Sequence, residues 1–91
     1  MTFPPTTATV GATIIRLLNE LTGRDPASLD GGTRIFMELG LTSARILELL
    51  MRLEDETGLP LVGRVDWLRM ETIDDLAELV VGQRADAPPR S

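Results

Sequence analysis

Ile46, Leu49, Leu50 and Leu53 recur at the three- and four-residue spacing of a helix, with Leu47 at their flank and Arg45, Glu48, Arg52 and Asp55 along the opposite stripe. A segment so divided has one face that must leave water and another that must stay in it. The same spacing returns in Val10, Ile14, Leu17, Leu18 and Leu21, and again in Ile73, Leu76, Ala77 and Val80. Stop signals follow the first two runs in similar form, Thr22-Gly23 with Pro26 beyond and Thr57-Gly58-Leu59-Pro60. Helices are therefore predicted over residues 8–22 and 43–57. A last one starts behind Thr72, which can cap it, with Asp75 three residues on as a weaker form of the capping box.

The intervening segments are less regular. Residues 24–41 carry the turn signals Asp25-Pro26 and Gly31-Gly32 but too little periodicity for a long helix. Connections above about 12–15 residues are uncommon unless they are functional or pack on the body, and Leu29, Ile35, Phe36 and Leu39 are the anchors for such packing. Residues 61–71 read either as a short strand at Leu61-Val62 and Val65 or as one or two helical turns from Asp66 to Met70; a short helix is the preferred reading. Trp67 is expected in the core, since tryptophan buries a large area and the chain has few aromatics. With Pro4-Pro5 near one end and Pro88-Pro89 near the other, residues 1–7 and 84–91 are expected to be mobile, leaving a helical domain over 8–83. The expectation is an all-α fold, a small bundle of three longer helices and one short helix.

Composition narrows the chemistry. The 91 residues include no cysteine, histidine or tyrosine, and every basic side chain is arginine. Thiolate chemistry, an imidazole base and a lysine Schiff base are therefore all outside the chain's own repertoire, and a metal site would have to be built from carboxylates. No spacing suggests the paired acids of a carboxylate hydrolase. This argues against an enzyme. A net charge of −5 repels nucleic-acid phosphates and anionic lipid, which leaves proteins as the expected partners. With neither a secretory leader nor an apolar span of about 20 residues, the reading is a soluble cytoplasmic monomer, and the start at Met1 suggests a freestanding chain. One domain of this length buries only about 60–65% of the surface of its unfolded chain.

The remaining feature is Phe36-Met37-Glu38-Leu39-Gly40-Leu41-Thr42-Ser43, which sets a serine hydroxyl at the mouth of the second helix. The first N–H groups of a helix lack intrahelical partners and the macrodipole is positive there, so the position suits an attached anionic group. Taken alone, serine at a helix start serves local hydrogen bonding, and that is the default reading.

Over residues 35–81 the sequence resembles acyl and peptidyl carrier proteins. The resemblance rests on Leu39-Gly40-Leu41 before the serine, Glu48-Leu49 within the helix, Leu53-Glu54-Asp55-Glu56 near its end, Leu59-Pro60-Leu61 after it, and Thr72-Ile73-x-Asp75-Leu76 at the last helix. It implies a four-helix bundle of the acyl-carrier type and a 4′-phosphopantetheine arm on Ser43, donated by coenzyme A through a phosphopantetheinyl transferase. The arm's thiol would hold acyl, aminoacyl or peptidyl intermediates as thioesters and present them to biosynthetic enzymes, which would supply the acid, base and metal chemistry.

Two departures flank the serine. Thr42 stands where such proteins usually carry aspartate or histidine, and Ala44 where they carry a larger apolar residue. They favour polyketide or nonribosomal peptide assembly over primary fatty-acid synthesis, and they keep an unmodified helical interaction module as the alternative. The resemblance also implies a docking surface: Leu41, Thr42, Ala44, Leu47, Glu48, Met51 and Asp55 are the residues expected to meet partners. Steering by the acidic members should weaken as salt rises.

Overall fold

A computed structural model describes residues 6–64, 66 and 69–86 of the chain, with the backbone alone for 84–86. Its helices are α1, Thr7–Thr22; α2, Ser43–Thr57; and α3, Ile73–Asp86; a 3-10 turn covers Pro26–Ser28. α1 starts one residue before its apolar period does because Thr6 and Thr9 cap each other, the Thr9 N–H donating to Thr6 Oγ1 at 3.2 Å and the Thr6 N–H to Thr9 Oγ1 at 2.9 Å. The bounds of α2 are those its pattern predicts. Both helices end on a glycine in the left-handed region, Gly23 at φ 75° and Gly58 at φ 72°, where a side chain would be strained.

α1 packs against both α2 and α3. The inward rows of all three meet in one core, in which Ile14, Leu18, Ile46, Leu49, Leu53, Ile73, Leu76 and Val80 are fully buried. The long connection belongs to that core: Leu29 and Ile35 are buried in it, and Phe36 and Leu39 pack on its edge. Backbone bonds fasten the connection to the start of α3. Ile35 N–H donates to the Glu71 carbonyl at 2.9 Å, Ile73 N–H to Thr33 at 3.1 Å and Asp74 N–H to Gly31 at 2.9 Å, around an isolated antiparallel bridge between Arg34 and Thr72. At this crossing the Asp74 carboxylate lies over Gly31, so that a Cβ there would require the carboxylate to turn aside.

The short helix expected within residues 61–71, and the core position expected for Trp67, fall on Val65, Trp67 and Leu68, which lie outside the described residues. Around them the chain turns, with Arg64 N–H donating to the Leu61 carbonyl and Arg69 N–H to the Asp66 carbonyl, each at 3.0 Å. The fold among the described residues is thus all-helical, with three α-helices, the 3-10 turn at Pro26–Ser28 and 3-10 geometry again at Arg69. None of these helices is long and apolar enough to cross a membrane.

α3 opens on a full capping box. Asp75 N–H donates to Thr72 Oγ1 at 3.1 Å, and the Asp75 carboxylate accepts from the N–H groups of Glu71 and Thr72 at 2.9 and 3.1 Å. Those N–H donors, Glu71 first and Thr72 second, hold the Asp75 carboxyl below the usual carboxylate range against the smaller opposing effect of desolvation. Because the folded pKa is the lower one, this stabilisation is present above the unfolded-state pKa and is lost as pH falls through the folded one. Urea melts should therefore show Asp75→Ala less stable than the parent at pH near 7, with the gap closing below about pH 4, where the unfolded-state carboxyl begins to protonate. A gap that is the same at both pH values would mean that the carboxylate plays no part in the cap.

Candidate functional site

The approach to α2 is a tight turn. Gly40 N–H donates to the Phe36 carbonyl at 3.0 Å, and Gly40 adopts φ 63°, reversing the chain before Leu41, which packs half-buried on the core edge. Thr42 is the N-cap: its backbone is extended, its Oγ1 accepts from Arg45 N–H at 3.3 Å, and its carbonyl accepts from Ile46 N–H at 3.0 Å. Ser43 is therefore the N-terminal residue of the helix and Thr42 its cap.

Ser43 is the first residue of α2 and is exposed, and its hydroxyl has no hydrogen-bond partner among the described residues. With Thr42 taking up Arg45 N–H, the N–H groups of Ser43 and Ala44 are the ones left open at this end of the helix. The first turn holds no carboxylate, so the local potential is that of the positive end of the dipole, undiminished by an acidic side chain. An anion carried on the Ser43 oxygen would meet no repelling group in the first turn of the helix. The hydroxyl has no imidazole to activate it anywhere in the chain. A serine without an adjacent base is a weak nucleophile, so chemistry at this oxygen needs a base from outside the chain.

The residues expected to meet partners divide in three. Ala44, Leu47 and Met51 are exposed and follow Ser43 along one side of α2, with Leu47 46% and Met51 54% accessible. Thr42 and Leu41 serve the turn and the cap. Glu48 is half-buried and tied by Arg45 Nη1 at 3.0 Å, whereas Asp55 is exposed with no partner among the described residues.

Two arrangements were not visible in the residue pattern. Glu54 folds its Oε2 onto the N–H groups of Leu61 and Val62 at 2.6 and 2.7 Å, beside the fully buried Leu61 side chain. Glu56 reaches across to Arg16 at 2.6 Å. Arg16 with Glu20 and Glu48 with Arg52 stand four apart in the sequence, which hints at pairs within each helix, but nothing in that spacing shows that the two helices exchange partners. Among the described residues no group of acidic side chains is placed to hold a metal ion.

Residues 12–80 match the family described as "Phosphopantetheine attachment site". No curated protein is significantly similar to the chain.

Proposed function

Given that this chain belongs to the phosphopantetheine-attachment family, whose cofactor is covalently bound 4′-phosphopantetheine, we propose that Ser43 is the attachment residue. The protein then works as an acyl or peptidyl carrier in polyketide or nonribosomal peptide biosynthesis. The observation that carries this reading is the division of labour at the head of α2. Thr42 makes the capping bond, and Ser43, one residue on, presents an exposed hydroxyl with no bond of its own. A serine kept only for local structure would hold the cap.

In this reading the phosphate linking arm and serine sits at the open N–H groups of Ser43 and Ala44, where the dipole favours it. The arm supplies the thiol that the cysteine-free chain lacks. Thioester chemistry is carried out by the enzymes that dock, and the carrier converts nothing itself. Coenzyme A as donor places the modification in the cytoplasm. The partners are a phosphopantetheinyl transferase and the enzymes that load and process the cargo, and their contacts lie on the exposed side of α2 through Ala44, Leu47 and Met51, with Leu41, Thr42, Glu48 and Asp55 at the margins.

Intact mass spectrometry after incubation with coenzyme A and a broad-specificity phosphopantetheinyl transferase tests the reading. A gain of one phosphopantetheine is expected. No gain with several transferases would favour an unmodified helical interaction module, with Thr42 and Ala44 the first residues to change.

A further inference from the structure

Three arginines and three glutamates form one continuous ladder along the seam of α1 and α2. Glu48 receives Arg45 on one carboxylate oxygen at 3.0 Å and Arg52 on the other at 3.8 Å. Arg52 also reaches Glu20 at 3.5 Å, and Arg16 joins Glu20 at 2.8 Å to Glu56 at 2.6 Å. Exposed pairs of this kind contribute little to stability. Their effect on the surface potential is larger, because within the ladder the charges cancel and both oxygens of Glu48 and of Glu20 already face a guanidinium. The chain's excess of five negative charges lies elsewhere. Of the remaining carboxylates of α2, Glu54 is turned onto the Leu61 and Val62 N–H groups, which leaves Asp55.

At 100° per residue, Leu47, Met51 and Ala44 occupy neighbouring sectors of the helix, with the ladder between them and α1. The side of α2 that leads away from Ser43 is therefore an apolar stripe beside a self-neutralised border. The geometry points to docking by apolar contact: the partner that fits is an enzyme presenting an uncharged apolar pocket to Leu47 and Met51, and the ladder keeps the neighbouring carboxylates from recruiting a basic patch. This inference rests on the carrier reading above and takes the place of the salt-weakened steering by Glu48 and Asp55 that the sequence leads one to expect.

Binding of the unmodified Ser43→Ala chain to a broad-specificity phosphopantetheinyl transferase, followed by calorimetry, tests it without requiring attachment. The dissociation constant should change by less than about threefold between roughly 20 mM and 500 mM NaCl, concentrations that span weak and strong screening. Adding Met51→Ser should weaken binding by about tenfold or more at both concentrations, as expected for loss of an interface anchor. Leu47→Ser is the second variant if Met51→Ser does not fold by circular dichroism. Adding Arg45→Gln and Arg52→Gln frees Glu48 and half of Glu20, and binding should then vary about fivefold or more with salt. Tenfold salt dependence before any ladder residue is changed, equal binding with and without Met51, or no binding at all would overturn the inference. Attachment is read separately from the mass of the parent chain, so a chain that docks through Met51 yet gains no mass would sink the carrier reading alone.

Discussion

Ser43→Ala should abolish the phosphopantetheine mass gain completely while changing stability by no more than about 0.5 kcal/mol, the range of exposed substitutions that break no contact. Thr42→Ala should show the reverse pattern. Removing the hydroxyl that accepts Arg45 N–H at 3.3 Å takes away the N-cap, at a cost of about 1 kcal/mol, which in a domain of this size lowers the melting temperature by roughly 4–8 °C. Its Ser43 hydroxyl remains in place, so the mass gain should persist. Circular-dichroism melts and intact masses of both variants give four readings, and the crossed pattern among them separates cap from attachment point. If Ser43→Ala destabilises as much as Thr42→Ala, the serine is a capping residue after all; if it keeps the mass gain, the arm is attached elsewhere.

The second large effect is expected within the same helix, two residues apart. Leu49 is fully buried where α2 meets the core, whereas Leu47 is 46% accessible. Truncating Leu49 to alanine removes its transfer free energy and leaves a cavity, at a cost of about 2–5 kcal/mol. Small domains hold roughly 0.05–0.15 kcal/mol per residue in total, so this is a large share of the margin and should lower the melting temperature by about 10–30 °C. Leu47→Ala should stay within about 0.5 kcal/mol of the parent yet weaken transferase docking. Comparable melting temperatures for the two variants would mean that α2 does not sit on the core by the Ile46, Leu49, Leu50 and Leu53 face.

These two helix faces were legible in the sequence because burial along a helix follows a local period, and the ends of α2 were legible because a threonine cap and a left-handed glycine act within a few residues. The serine's place at the helix mouth followed from the same signals. Which residue makes the cap did not, since Thr42 and Ser43 both have the required hydroxyl and only the backbone bend between them decides. The role of Glu54 was hidden for a different reason: its partners lie seven and eight residues downstream, and they come within reach only after Gly58 reverses the chain. The ion ladder is further still from local reading. Arg16 and Glu56 are forty positions apart and meet because α1 and α2 run antiparallel on one core, so charges that alternate along the sequence cancel across the seam in three dimensions. The connection over residues 24–41 lies between these cases, its anchors Leu29 and Ile35 evident as apolar side chains and its attachment to α3 dependent on backbone groups that carry no sequence signature.

That attachment has a topological consequence. The bonds from Ile35 to Glu71 and from Ile73 to Thr33, 2.9 and 3.1 Å long, set the two ends of the intervening stretch side by side, so that the stretch holding Ser43 and α2 begins and ends at the same doorway. Such an excursion is a cassette. Its ends need no redesign when its contents are exchanged, because closing the loop is already accomplished by main-chain atoms that every sequence possesses. Specificity for partners can then be rewritten in α2, provided that Ile46, Leu49, Leu50 and Leu53 still face inward, while α1, α3 and the doorway are inherited unchanged.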